Sequence, residues 1–378
     1  MTKLTFFPIG NADTCLVELQ DGRRMLVDFA DMADKDDEAD KRCDLSALLT
    51  EDFEEAEADD YHVVAFTHLD DDHCQRASEY FWLDHAKAYQ GDDRKKIATL
   101  WVPAGVITEE GLTGDARAIR QEARHRLRQG EGIVVFSRPE RLKDWLEDND
   151  LTVEDRADCF VDAGQLVPGL TIADDAVEAF AHSPHATRTD DNGLEDRNGD
   201  SLVFQMRFRE GSYDTDVLFA ADVDHEVLAE IVDITKYHKN DDRLHWNIYK
   251  LPHHCSYTAI GPEKGTNKTA ATDQIQWLCE EQGETAGYVV SSSNPIPKKG
   301  SEADKDVQPP HRQAANYYRE DVVESDHLLV TMEHPKSSAP KPIEIEIGPK
   351  GASKKALGVP AAAALVGGAS APRAGNGR

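Results

Sequence analysis

Short apolar runs recur along this chain, and several end at or near acidic residues or histidine. Leu4 to Ile9, Thr14 to Leu19 and Met25 to Phe29 predict three strands, and Asp21-Gly22 supplies the turn between the last two. Val63-Val64-Ala65-Phe66 predicts a buried strand, and Ile97 to Val102 another. In the second half, strands are predicted at Ser201 to Phe208, Asp216 to Ala221, Asn247 to Leu251, Tyr288 to Ser291, Leu328 to Met332 and Ile343 to Ile347. Shorter strand segments fall at Leu166 to Ile172 and Val177 to Ala181. Helices are predicted at Arg76 to Lys87, Asp115 to Gln129, Pro139 to Glu147, His225 to Tyr237, Thr272 to Gln282 and near His311. Antiparallel strands interleaved with helices, in two halves, predict an α+β architecture: an αββα four-layer sandwich with helices outside two packed sheets.

The residues that end these strands carry the chemistry. Directly after Phe66 the chain reads T-H-L-D-D-D-H, so His68, Asp70, Asp72 and His73 fall within six residues. Neutral imidazole and ionised carboxylate both ligate zinc, manganese or iron. Asp28 ends the third strand, Asp222 ends Val217 to Ala221, and His253-His254 follow Tyr249-Lys250-Leu251-Pro252. Asn198, Asp200 and Ser201 sit at the start of another strand. Any one of these also reads as a turn or a helix cap. Their shared position at strand termini gathers them on one rim of the sheets.

In these motifs the chain resembles the metallo-β-lactamase superfamily, with its H-x-H-x-D-H signature, a later bridging Asp after a strand and a late His. Within it, the likeness is to the metallo-hydrolase domain of ComEC-type DNA-uptake proteins, on Asp70 in place of the second His, Asn198 to Val203, Ala221-Asp222 and His253-His254-Cys255-Ser256. The resemblance spans roughly residues 1 to 332 in consistent order. It implies two divalent ions, Zn2+ or Mn2+, about 3.5–4 Å apart and sharing an activated water. His68 and Asp70 would hold the first; Asp72, His73 and His253 the second; Asp222 would bridge. Asp28 would orient a ligand imidazole from behind, with Asp200 also behind the ligands. Asp70 in place of an imidazole hardens the first site toward manganese. Asp72, His254 and His311 would serve the reaction, and Asn198, Ser201 and Ser256 would contact substrate. The chain departs from the pattern in three places. The usual third-motif His has no equivalent, since His182 and His185 lie in that interval but read as loop residues. Cys74-Gln75 and Cys255 stand where glycines are expected.

Length and charge narrow the function. The 378 residues suit one large domain over 1–348 with an acidic insertion near 31–60, followed by an Ala/Gly/Pro-rich tail over 349–378 whose composition predicts disorder. A net charge of −30 weighs against a broad nucleic-acid groove, though not against local phosphate capture. No stretch approaches the ~20 apolar residues of a membrane span, and six cysteines without a C-x-x-C pair point to reduced thiols, so a cytoplasmic protein is expected. The leading reading is a metal-dependent phosphodiesterase or nuclease acting on nucleic acid or a nucleotide, for which Arg117, Arg120, Arg124, Arg126 and Arg128 could grip phosphates. Pairing of those arginines with the abundant carboxylates is favoured over that role. The alternatives are a carbonyl hydrolase acting on a lactone, lactam or thioester, and a binding or regulatory protein with an impaired site.

Overall fold

The structure is a computed structural model and describes residues 1–186 and 196–356. Its strands are β1 (Thr2–Phe6), β2 (Cys15–Glu18), β3 (Arg24–Val27), β4 (Asp60–Ala65), β5 (Lys96–Pro103), β6 (Ile133–Phe136), β7 (Phe160–Val161), β8 (Val177–Ser183), β9 (Val203–Glu210), β10 (Tyr213–Phe219), β11 (Trp246–Lys250), β12 (Gly283–Ser291), β13 (Leu328–Val330), β14 (Ile343–Gly348) and β15 (Gly351–Lys354). They form one sheet in the order β15-β14-β1-β2-β3-β4-β5-β6-β7 and a second in the order β13-β12-β11-β10-β9-β8. The α-helices are α1 (Leu45–Glu55), α2 (Asp71–Cys74), α3 (Ala77–Tyr80), α4 (Ala104–Thr108), α5 (Gly114–Gln129), α6 (Glu140–Glu147), α7 (His225–His238), α8 (Asp273–Gln276) and α9 (Arg312–Tyr317).

The four layers follow from period-two alternation. Val63 and Ala65 of β4 point into the apolar layer between the sheets, against Phe204, Phe219 and Ile248, while Val64 and Phe66 face the other way toward Leu49, Ile119 and Leu127 on the helices. In the second sheet Val217 and Phe219 face inward, and Leu218 and Ala220 face Val227 and Ile231 of α7. The result is the predicted αββα sandwich.

Five expectations need correction. The sheets are mixed: β3 through β7 run parallel, as do β10 through β13. Connections long enough to carry helices allow parallel pairing, whereas short links join the antiparallel pairs β1-β2, β2-β3, β9-β10 and β14-β15. The helix expected over Arg76 to Lys87 is only the short α3, because Phe81 is buried, bridges to Lys95, and pulls the chain out of helical register. The acidic segment near 31–60 is not wholly exposed, since Leu45, Leu49 and Phe53 of α1 enter the core and Asp31 is buried against Ser46. The tail expected from residue 349 begins with β15, which pairs with β14 before the chain leaves the described residues at 356. Leu166 to Ile172 contributes one isolated bridge, Leu166 to Phe180, and is no strand. Among the described residues, no helix is long and apolar enough to cross a membrane.

Three of the five arginines of α5 are spent on the fold, while Arg117 and Arg128 are exposed. Arg120 donates to the Glu109 carbonyl, Arg124 to the Ile107 carbonyl and both to the Glu110 carboxylate. Arg126 donates to Glu122 at 2.7 Å and to the carbonyls of Ile97 and Gly132. All three are buried, so none is a free phosphate contact.

Candidate metal centre

Parallel pairing decides where the chemistry collects. β3 and β4 end together at one rim, β10 and β11 end together at the facing rim, and the residues just past those ends meet across the gap. The backbone there is bent sharply: Asp28, Ala221, His253, His254 and Cys255 all have φ between +46° and +66°. Non-glycine residues in that region each cost roughly 1–3 kcal/mol and persist where the surroundings impose them. Cys255 thus occupies a conformation glycine would adopt freely, which accounts for glycine being the residue expected there.

Asp72, His73, Asp222 and His254 form one cluster whose donor atoms all lie within 4.8 Å of one another. Each imidazole is oriented from behind. His73 Nδ1 donates to Asp28 Oδ2 at 2.9 Å, and Asp28 is itself fixed by the Thr67 amide (2.7 Å) and hydroxyl (2.8 Å). His254 Nδ1 donates to the Ser292 carbonyl at 2.8 Å. Both rings therefore present Nε2 to the carboxylates. His254 Nε2 lies 3.1 Å from Asp72 and 3.4 Å from Asp222, and His73 Nε2 lies 3.4 Å from Asp222 Oδ1.

The donors fit a divalent cation. His73 Nε2 and Asp222 Oδ1 are buried and neither makes a hydrogen bond, although they face each other. Two ring lone pairs aimed at two carboxylates repel unless positive charge sits among them. Without an ion, protons take that place. Burial disfavours charge on His254, but Asp222 and Asp72 outweigh it and push its pKa up to about 10. His73 is likewise raised against its burial, by Asp28 and Asp222. Burial would raise Asp72, but its hydrogen bond to His254 holds it down at about 2. Two histidines and two carboxylates are a borderline-to-hard donor set that suits Zn2+ or Mn2+.

The other sequence-derived residues have varied placements. His254, not its neighbour His253, sits in the cluster; their rings are 6.2 Å apart, and consecutive left-handed residues turn the two side chains to different sides. The His68 ring lies 3.9 Å from the His73 ring at a tilt of 47°, and its Nε2 is buried, unbonded and 3.7 Å from Asp70. Burial first, then the charge of His73, lowers its pKa to about 4. Asp70 itself is held by Arg197 at 2.6 Å. Ser201 is buried and donates to the Arg197 carbonyl, and the Asn198 carbonyl accepts from the Ser201 amide, so both build a turn. Ser256 is buried and caps the turn at Thr258. Asp200 lines a small cavity with His68, Glu109 and Arg197. His311 packs on Tyr257 and accepts from its amide, outside the cluster. His182 Nε2 donates to the Arg243 carbonyl and is also outside, as is His185.

Four participants escaped the sequence reading. Asp13 lies 3.9 Å from His73 and pairs with Lys250 at 2.5 Å, both buried. The lone charge in the apolar run of β11 was the available signal for Lys250. Arg197 and its partner Glu109 gave none, because 88 residues separate them.

No known family's sequence profile matches the chain, and no curated protein does. Among solved structures the chain is similar to the metallo-β-lactamase SMB-1 bound to 2-mercaptoethanesulfonate, at 15% identity and a TM-score of 0.28 over 65% of this chain and 78% of that one. It is also similar to a diphosphatase of the PhnP family, at 9% identity and a TM-score of 0.30 over 78% and 87%. A third is BJP-1, a subclass B3 metallo-β-lactamase of Bradyrhizobium japonicum, at 14% identity and a TM-score of 0.30 over 74% and 90%. At such scores these likenesses add no weight to the site, which stands on its own geometry.

Proposed function

We propose that the chain is a cytoplasmic metal-dependent hydrolase of phosphodiester bonds, with Asp72, His73, Asp222 and His254 holding a divalent ion, Zn2+ or Mn2+. One observation carries this reading: the unsatisfied buried pair of His73 Nε2 and Asp222 Oδ1, each ring nitrogen of the cluster locked from behind. When bound, the ion supplies Lewis-acid polarisation of the scissile group and of the attacking water. The protein's own residues do the rest. Asp28, Thr67 and the Ser292 carbonyl keep the imidazoles in the ligating tautomer. Asp70 and Asp72 are each about a third exposed and mark the side from which substrate arrives. His253 flanks the cluster with solvent access and is assigned the protonation of the leaving oxygen. The Arg197 guanidinium at that mouth favours an anionic substrate over a neutral lactone. The six unpaired cysteines suit a reducing compartment.

Purified protein loaded with Mn2+ or Zn2+ should cleave bis(p-nitrophenyl) phosphate, single-stranded DNA or RNA. Intact phosphodiesters alongside an opened lactone or thioester would instead establish the carbonyl-hydrolase alternative. Inertness toward every substrate with metal bound would indicate the binding protein. A separate measurement tests the support behind His73: Asp28→Asn should weaken metal affinity by roughly 10- to 100-fold in a Mn2+ or Zn2+ titration, because an amide cannot accept from both Thr67 and His73 as a carboxylate does. Unchanged affinity would remove Asp28 from the design of the centre.

A further inference from the structure

We propose that Arg197 is a resident cation of this centre, standing where His68 and Asp70 would otherwise hold a second metal ion, so that each chain binds one divalent ion. The inference rests on the metal reading above and goes beyond it in fixing the number of ions.

Arg197 is built into place. Its Nη1 donates to Asp70 Oδ1 at 2.6 Å, its Nε to the two oxygens of Glu109 at 2.8 and 3.0 Å, and its Nη2 also to Glu109. Glu109 is largely buried, so the guanidinium is its counter-charge and cannot leave without stranding a carboxylate. The turn that carries Arg197 is pinned at three points. The Ser201 hydroxyl donates to the Arg197 carbonyl, the Gly199 amide donates to Asp196, and the Leu202 amide donates to the Thr67 carbonyl at the end of β4.

The neighbouring donors are too few for another ion. His68 Nε2 and Asp70 Oδ2, 3.7 Å apart, offer two ligand atoms. Among the described residues no further imidazole joins them, and His68 and Asp70 belong to no group of three or more ligand atoms that could close on a cation. A metal site of this kind takes three or four protein donors. A second divalent ion on Asp70 would also share that carboxylate with a guanidinium and be repelled by it. The guanidinium delivers fixed positive charge at the mouth of the site instead. Three of its five N–H groups are committed to Asp70 and Glu109 among the described residues, which leaves two to meet a substrate oxyanion.

Equilibrium dialysis against Mn2+ with elemental analysis, read together with electron paramagnetic resonance, tests this. The wild-type chain should retain one Mn2+ and give an uncoupled six-line signal at saturation. Arg197→Ala should retain two and develop a spin-coupled signal, while Arg197→Lys, which keeps the charge, should stay at one. Circular dichroism reports folding, and if Arg197→Ala misfolds, the double variant with Glu109→Gln removes the stranded carboxylate and answers the same question. Two ions in the wild-type chain, or one ion in a folded Arg197→Ala chain, overturns the proposal. A wild-type chain that binds no ion overturns the metal-hydrolase reading itself, an outcome distinct from the other two.

Discussion

Asp72→Ala should abolish hydrolysis and leave the fold unchanged. The side chain is about a third exposed, is absent from the hydrophobic core, and among the described residues hydrogen-bonds His254, so its truncation takes nothing from the apolar core. Its carboxylate is nevertheless one of four donor groups, and its loss leaves His254 without its nearest anion and the ion without a ligand. Loss of an outer partner of a metal ligand commonly costs about 10- to 100-fold. Loss of a direct donor should cost more, on the order of 10³-fold in kcat/KM, or about 4 kcal/mol of transition-state stabilisation. Steady-state kinetics on metal-loaded protein, with a thermal melt to show the fold retained, would measure both halves. Activity within tenfold of the wild type would exclude Asp72 as a donor. An unfolded variant would show that the carboxylate holds the rim together through the buried His254.

Much of this arrangement was legible because a strand that stops at a charged residue announces where that residue lies. Asp28, Asp72, His73 and Asp222 were found this way, and the parallel pairing of β3 with β4 and of β10 with β11 brings them to one place. The choice between His253 and His254 was not legible. Both follow the same strand, and the run of positive φ through Cys255 decides which ring turns inward. Strand direction was not legible either, since a short apolar run reads alike in parallel and antiparallel sheets. Ser201 and Ser256 were expected to contact substrate only through the family resemblance; here the Ser201 hydroxyl donates to the Arg197 carbonyl and the Ser256 hydroxyl accepts from the Thr258 amide. Arg197 depends on Asp70, 127 residues away, and on Glu109, so only the folded chain shows its role. The arginines of α5 were legible in kind but not in partner: pairing with carboxylates was favoured over a phosphate surface, and Arg120, Arg124 and Arg126 are taken by the carboxylates of Glu110 and Glu122 together with the carbonyls of Ile97, Ile107 and Glu109.

Glu122→Ala should destabilise the fold by roughly 3–5 kcal/mol at neutral pH, the usual result of removing one member of a buried ion pair. Glu122 is fully buried on α5. One oxygen accepts from Arg126 at 2.7 Å, and the other accepts from the His85 amide at 2.9 Å and its ring at 3.0 Å. Burial would raise this carboxyl, yet His85 and Arg126 overcome it and hold its pKa at about 2, against an ordinary value of 4.5. The sign follows from that depression. The unfolded chain binds the proton first as pH falls, so the stabilisation is complete above about pH 4.5 and is lost as pH drops toward 2. A fall from 4.5 to about 2 is equivalent to about 3 kcal/mol, which agrees with the cost expected of the broken pair. Denaturant melts of wild type and Glu122→Gln should therefore differ most at pH 5 to 7 and converge between pH 4.5 and 2. Glu122→Gln keeps the shape and one acceptor, so a difference that persisted unchanged to pH 2 would assign the loss to packing and remove the ion pair from the account. Metal binding offers an internal control, because Arg126 and His85 belong to no group of candidate ligands. The variant should take up Mn2+ normally wherever it remains folded, and a changed metal affinity would mean that α5 positions the centre as well as supporting the sheet.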